Sequence, residues 1–493
     1  MTLLTTSVIT PLYALVALWL AIYGLNSFIL ALLYLRYRHA RVPILPVDWS
    51  ALPAVTVQVP VYNERHVIER VIDAVAVLDY PRDRLHIQIL DDSTDETTQL
   101  AQTRAATYRE QGVDIVVLRR PHREGFKAGA LAAGLCQTCG EYVAIFDADF
   151  RPHPDFLLQT MPHFLAHPRL GLIQTRWSCL NADYSLFTRA QVLALDGHFI
   201  VEQTGRQRAG LLVGFNGASG VWRRRCIQES GGWQSDTLCE DLDLSYRAQL
   251  AGWECLYLPE VDAPAEVPPQ IAAFKQQQAR WAQGSVQTLR KLGGSILRSR
   301  RLRWGQKGMA LVYLTSYLAH VLMIVLLLIS LPLLWVPTSA SLPLGWLGLM
   351  CLGPPLVYTI SQRRLYSNWL WRLRALPLLV LVGVGIAWGS MQAVWRGLTR
   401  WGGTFARTPK FRLEGKAGHW TNSGYRLRAN DSIAGELALA LYAITTAAVA
   451  LAHGRYEVIP FMLLYAAAFG TVAGLDLAQA RAPHRPPSPP PRD

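Results

Sequence analysis

The sequence predicts a two-part protein: an α/β domain on a mostly parallel sheet, joined to apolar helices long enough to span a membrane. Three observations carry this. From residue 54 to 265, short β-rich runs alternate with helical stretches, the pattern of strand–helix–strand units. Outside that block lie nearly uncharged runs that approach or exceed the ~20 residues a bilayer requires. The chain of 493 residues is 51% hydrophobic and only 17% charged, with mean hydropathy +0.17. That balance fits a membrane protein carrying a soluble portion.

The formal net charge is +13 and the pI about 9.5. Nucleic acid, anionic lipid and an anionic substrate each match such a surplus. The apolar runs favour the last two, and no nucleic-acid partner is expected. Among seven cysteines the one close pair is Cys136-x-x-Cys139, with no second pair or histidine cluster to complete a metal site. The thiols are read as reduced and cytosolic.

In chain order, residues 1–42 hold the first apolar run, 12–35, with Arg36, Arg38 and Arg41 directly after it. The positive-inside rule puts the amino terminus outside and the next domain in the cytosol. Residues 43–269 form the α/β domain. Val55-Thr56-Val57-Gln58-Val59 is a strand ending at Pro60, a helix covers 67–78, and the strand 85–90 ends in Asp91-Asp92. A helix covers 97–110 and a strand 115–118. Val143-Ala144-Ile145-Phe146 is a buried strand ending in Asp147-Ala148-Asp149. Both acidic clusters thus close strands of one sheet, on the edge where open α/β sheets bind ligands. On an extended segment Asp147 and Asp149 share a face. Close carboxylates repel unless a cation lies between them, and Mg²⁺ or Mn²⁺ with phosphate oxygens fits that need. A capped helix start is the plain alternative for such a pair.

Asp91-Asp92 has the chemistry to hold a nucleobase or ribose, or else to complement the helix beginning near Asp95-Glu96. Gly125-Phe126-Lys127-Ala128-Gly129 offers a lysine and close backbone approach to a diphosphate. Phe215-Asn216-Gly217-Ala218-Ser219-Gly220 is a small-residue turn suited to a sugar-facing loop. Glu240-Asp241 supplies Asp241 as candidate general base, although clustered acids also suit an exposed helix start. Residues 270–307 read as amphipathic interface helices and contain Gln277-Gln278-Ala279-Arg280-Trp281.

Apolar segments follow near 309–336, 342–360 and 375–395, then a basic region 396–432, then segments near 433–453 and 456–476. If all three of the first group cross, the basic region ends outside, against its charge. Segment 375–395, with Gly383, Gly385 and Gly389, is therefore expected to be re-entrant, leaving five full spans. The expected boundaries are 308–395 for transmembrane and re-entrant helices, 396–432 for a cytosolic interfacial region, 433–477 for C-terminal spans and 478–493 for a disordered, proline-rich tail.

Val59-Pro60-Val61-Tyr62-Asn63-Glu64, Leu90-Asp91-Asp92-Ser93, Asp147-Ala148-Asp149, Glu240-Asp241 and Gln277-Gln278-Ala279-Arg280-Trp281, in this order, resemble the family 2 processive glycosyltransferases. Gln174-Thr175-Arg176-Trp177 and Asp241-Leu242-Asp243-Leu244 are similar to the cellulose synthase-like branch of mannan, glucomannan and xyloglucan-backbone synthases. The resemblance implies a GT-A fold and covers residues 54–290. It implies that Pro60, Tyr62, Glu64, Asp91, Asp92, Lys127 and Asp147 bind the nucleotide sugar, and that Asp147 and Asp149 hold Mg²⁺ or Mn²⁺. It implies Asp241 as catalytic base, and Asn216, Glu240, Gln277, Gln278, Arg280 and Trp281 as acceptor-binding. Thr404, Phe405, Thr408 and Lys410 look like an interfacial gating loop. Cys239, Ala218 and Cys179 depart from the family pattern, which bears on sugar or acceptor specificity rather than on activity.

The expected activity is inverting hexosyl transfer from UDP-glucose or GDP-mannose to a growing β-linked polysaccharide, by a multi-pass plasma (inner) membrane protein with a cytosolic catalytic domain. The rivals are addition of one sugar to a membrane glycolipid acceptor, as ceramide glucosyltransferases do, and an inactive polysaccharide conduit.

Overall fold

The computed structural model describes residues 8–40, 42–43, 45–335 and 344–482. Arg41, the ends of the segments at 336 and 342, and the tail from 483 lie outside the described residues.

The soluble block is a seven-stranded sheet. Its strands are β1 (Val55–Val61), β2 (Leu85–Asp91), β3 (Ile115–Arg119), β4 (Tyr142–Ile145), β5 (Leu170–Cys179), β6 (Gly220–Arg223) and β7 (Glu254–Ala265), in the order β3-β2-β1-β4-β6-β5-β7. Strands β3, β2, β1 and β4 run parallel, β6 is antiparallel to both neighbours, and β5 pairs with β7 in parallel. Every residue of β1 but Pro60 is buried, as expected of a parallel strand covered on both faces. Period-two alternation feeds two cores: Tyr142 and Ala144 join Val55, Val57 and Val59 on one face, while Val143 and Ile145 join Leu131 and Trp222 on the other.

Strand order reverses between β1 and β4. Such a switch point leaves a crevice beyond the strand ends, because the chain leaves the two strands in opposite directions. Residues 60–64 and 147–149 close the two strands at that crevice.

Among the described residues, three apolar helices are long enough to cross a membrane: Thr10–Tyr37, Ile433–Ala452 and the stretch Tyr456–Arg481. Two further pairs are bent, Trp304–Leu314 with Leu318–Leu333 by 65° and Trp369–Gly385 with Ala387–Thr399 by 45°. The last helix continues through Arg481, past the expected boundary at 477. The expected helix at 342–360 is instead a 3₁₀ stretch, Leu344–Leu352, leading into Gly353–Leu365. The interface region begins with one helix, Ile271–Arg298. Its Lys275 is buried between two acids on the last helices, 2.7 Å from Glu436 and 2.9 Å from Asp476.

Candidate active site

A cavity of about 650 Å³ occupies the crevice beyond β1 and β4 and extends between the domain and the apolar helices as far as Tyr23, Tyr313 and His320. It is lined by every sequence-predicted site residue except Asp91 and Thr404.

Asp91 turns inward. One carboxylate oxygen accepts from the Ser93 N–H at 2.9 Å and the other from the Thr98 hydroxyl at 2.6 Å. These contacts hold the β2 turn, and of the pair only Asp92 lines the cavity. Asp92 is gripped by both arms of Arg120, at 3.0 and 2.5 Å. Thr404 is exposed, and its carbonyl accepts from Ala406 N–H.

The expected extended Asp147-Ala148-Asp149 is a turn: β4 stops at Ile145, and Phe150 N–H donates to Asp147 O at 3.0 Å. The two acids therefore differ in setting, Asp147 being about one-third exposed and Asp149 buried. Each also has a lysine, which their local sequence does not reveal. Lys127 Nζ lies 2.5 Å from Asp147 Oδ1 and donates to Gly217 O at 3.0 Å. Lys410 Nζ lies 2.7 Å from Asp149 Oδ2, which also accepts from Glu266 N–H at 2.9 Å. Burial opposes the charge on each lysine, yet the surrounding acids hold both above the ordinary lysine pKa. Among the described residues no group of three His, Cys, Asp or Glu side chains forms a metal cage. Two carboxylates in an open cavity still suit Mg²⁺ or Mn²⁺, which complete their shells with water and phosphate.

Asp241 lines the same cavity, one residue inside helix Glu240–Ala251. The Leu242 N–H donates to Asp241 Oδ1 at 2.8 Å. Gly217 has φ +88°, and a Cβ there would stand 2.8 Å from Asp241 Oδ2. The glycine lets the loop press against the acid. Burial raises the Asp241 pKa against the pull of Lys127 and Arg280. Glu240 is pushed up to about 7 by burial and by Asp241 beside it. Glu64 is pushed up to about 8 by burial, although Arg407 sits 2.9 Å away.

Gln278, also in the lining, accepts from the Tyr317 hydroxyl at 2.9 Å. Asn216 is oriented by Gln203, which donates to its Oδ1 at 2.8 Å. Over the cavity lies the loop of residues 402–410. Phe405 stacks on Phe126 with centroids 6.2 Å apart, and the Arg280 guanidinium lies 4.3 Å from its ring. Thr408 is buried with its hydroxyl unpartnered.

With this geometry in hand, the comparisons with known proteins are specific. The family described as "Glycosyltransferase like family 2" matches residues 53–284. Residues 53–284 thus match a family 2 glycosyltransferase domain. Glucomannan 4-beta-mannosyltransferase 2 of Arabidopsis thaliana is 43% identical over 263 residues, 52% of this chain and 49% of that protein. Glucomannan 4-beta-mannosyltransferase 1 of Oryza sativa subsp. japonica is 43% identical over 258 residues, 51% of this chain and 49% of that protein. The chain thus spans about half the length of the curated relatives it matches. A mannosyltransferase from Pyrobaculum calidifontis, solved in complex with GDP-Man and Mn²⁺, covers 78% of this chain and 99% of its own, with TM-score 0.54 and 23% identity. That likeness is one of fold, and the fold is GT-A-like.

The family 2 domain brings further residues to the cavity that local sequence reasoning passed over. Arg123 lies 3.4 Å from the Tyr62 ring centroid and 4.9 Å from that of Phe126. Glu266 is buried against Arg70 at 2.6 Å. His198 and Glu202 pair at 3.1 Å on a π-helical turn, Gly197–Gln203. The basic run around Arg123 was a visible signal. Glu266 and His198 had none, because only the packing of distant segments brings them to the cavity.

Proposed function

We propose that this chain is an inverting glycosyltransferase that lengthens a β-linked, mannose-containing polysaccharide from GDP-mannose. The observation that carries the reading is the placement of Asp241, Lys127, Asp147 and Asp149 around one cavity. The names of the 43%-identical relatives favour mannose over glucose.

In this reading Pro60, Tyr62, Glu64, Asp92 and Lys127 hold the nucleotide sugar, and Asn216, Glu240, Gln277, Gln278, Arg280 and Trp281 hold the acceptor end. Asp241 accepts the proton of the acceptor hydroxyl. The oxygen bonds to the anomeric carbon as the opposite carbon–oxygen bond breaks, and that electron pair leaves with the nucleoside diphosphate. Lys127 offsets the charge developing on the diphosphate. Asp147 and Asp149 are the residues that would hold Mg²⁺ or Mn²⁺, which would supply further electrostatic stabilisation of the diphosphate. Phe405, Thr408 and Lys410 cover the donor, with Lys410 resting on Asp149 until the donor enters.

The cavity continues to Tyr23, Ser27, Tyr313 and Tyr317 on the apolar helices, which supports a membrane path for the product. Both ends of the bent pair 369–399 contact domain-side groups, Arg372 donating to Gln362 at 2.8 Å and Arg290 to Gly397 O at 2.8 Å. This supports a re-entrant placement, with 404–410 on the same side as the α/β domain.

The experiment is to incubate membranes containing the chain with labelled GDP-mannose, UDP-glucose and other nucleotide sugars, then size the product. Long, β-mannanase-sensitive material from GDP-mannose is expected. A single-sugar glycolipid would move the reading to lipid glycosylation, and turnover of none would end it.

A further inference from the structure

A second cavity of about 230 Å³ opens where the first apolar helix and helix Gly353–Leu365 both end against the domain. It shares no lining residue with the catalytic cavity. Four arginines line it, Arg38, Arg176, Arg208 and Arg364, against one carboxylate, Glu260. The Arg364–Glu260 contact of 3.1 Å joins two half-exposed or more exposed groups, so solvent screens it. Arg176 reaches Asp262 at 3.3 Å and donates to Pro259 O at 3.1 Å. Arg208 donates to Tyr37 O at 3.0 Å. Among the described residues, neither Arg38 nor Arg208 has a carboxylate within ion-pair distance. Burial lowers the Arg208 pKa, although Tyr34 and Glu260 counter it. Two guanidiniums thus stand in excess over carboxylates, and one has lost hydration without gaining a counter-ion.

The other side of the cavity is apolar. Tyr34, Ile200 and Leu365 belong to a cluster with Ala31 and Val357 of the two apolar helices. A cationic pocket with an apolar flank, at the ends of membrane-length helices, selects an anion that carries a hydrocarbon tail. The geometry points to a binding site for the phosphate headgroup of an anionic membrane lipid, its acyl chains lying along the Tyr34–Leu365 side. Guanidinium forks match phosphate oxygens two at a time, and anionic leaflets present that group at this depth. The site also touches the catalytic cavity through shared elements. Arg176 precedes Trp177 on β5, and Ile200 and Thr204 lie on the helical run that carries His198 and Glu202; Trp177, His198 and Glu202 all line the larger cavity. The inference rests on the membrane placement and not on the sugar or the reaction.

The test is native mass spectrometry of the full chain in detergent with phosphatidylglycerol, phosphatidylcholine or inorganic phosphate added. Phosphatidylglycerol should be retained over phosphatidylcholine, and Arg38→Gln with Arg208→Gln should cut that retention roughly thirtyfold, for two arginines near an anionic headgroup. If loss of the Arg208–Tyr37 contact prevents folding, Arg38→Gln with Arg364→Gln leaves that contact intact and should still weaken retention. Equal retention of both lipids, or retention untouched in the folded double variant, overturns the site. Displacement by millimolar inorganic phosphate overturns the lipid assignment in favour of a soluble anion.

Discussion

Gly217→Ala tests how tightly the sugar-facing loop is set against the proposed base. The residue sits at φ +88°, where an L side chain costs roughly 1–2 kcal/mol. The added Cβ would also stand 2.8 Å from Asp241 Oδ2 and 3.4 Å from Lys127 Nζ. Comfortable heavy-atom contact is about 3.5 Å, so the carboxylate must retreat by on the order of half an ångström or more. A misplacement of about 1 Å at a reacting group costs on the order of a hundredfold in rate. Turnover should therefore fall about ten- to a hundredfold, while stability drops only by the backbone strain. Nucleotide release gives the rate, donor titration the affinity, and a thermal melt the stability. A folded Gly217→Ala enzyme with parental turnover would refute both the close fit and the role of Asp241.

Asp241→Asn keeps the shape and removes the basicity, so turnover should fall by about 10²–10⁴ while donor affinity is retained; a variant near parental rate assigns the base elsewhere. The base works ionised and burial raises its pKa, so kcat/KM should decline as pH falls, through a limb above the ordinary aspartate range. Glu240, pushed up to about 7, is largely uncharged below that pH, so Glu240→Gln should leave the Asp241 limb nearly in place whatever it does to the maximum rate; a limb that moves with it would show the two acids titrating as a pair. Chelation should abolish turnover and Mn²⁺ or Mg²⁺ restore it; full activity without metal contradicts the role given to Asp147 and Asp149. In a chain stripped of its seven cysteines, an impermeant thiol reagent applied to intact cells should label His453→Cys and spare Ala406→Cys. Labelling of residue 406 from outside overturns the re-entrant placement.

The sheet was legible because parallel strands need near-continuous apolar residues, and Val55–Val59 and Val143–Ile145 have few other uses. The site residues were legible as separate short motifs, since each acid follows a strand or opens a helix. Their pairing was not. Lys127 is 20 residues from Asp147 and Lys410 is 261 from Asp149, so no local pattern joins them. Asp91 and Asp92 show the same limit: adjacent acids look alike in sequence, and only the Thr98 hydroxyl marks which one turns inward. The bend near Ile386 falls inside the segment read as re-entrant from its glycines and charge bias, whereas the split of 344–365 into two helical types has no signal in the sequence, because its hydrophobicity is unbroken.

The buried contact of Lys275 with Glu436 and Asp476 has a consequence for biogenesis. Two buried acids left without a cation are costly, and Lys275 is the counter-charge that both share. The ribosome makes Lys275 well before either acid. The helical hairpin 433–481 is thus received by a cation already in place, and until it arrives that cation lacks its counter-charges. Lys275 lies on the same helix as Gln277, Arg280 and Trp281, two to six positions away. A nascent chain interrupted before residue 476 leaves this helix without its anchor. Anchoring of the helix that carries the proposed acceptor residues therefore waits for the last two helices of the chain.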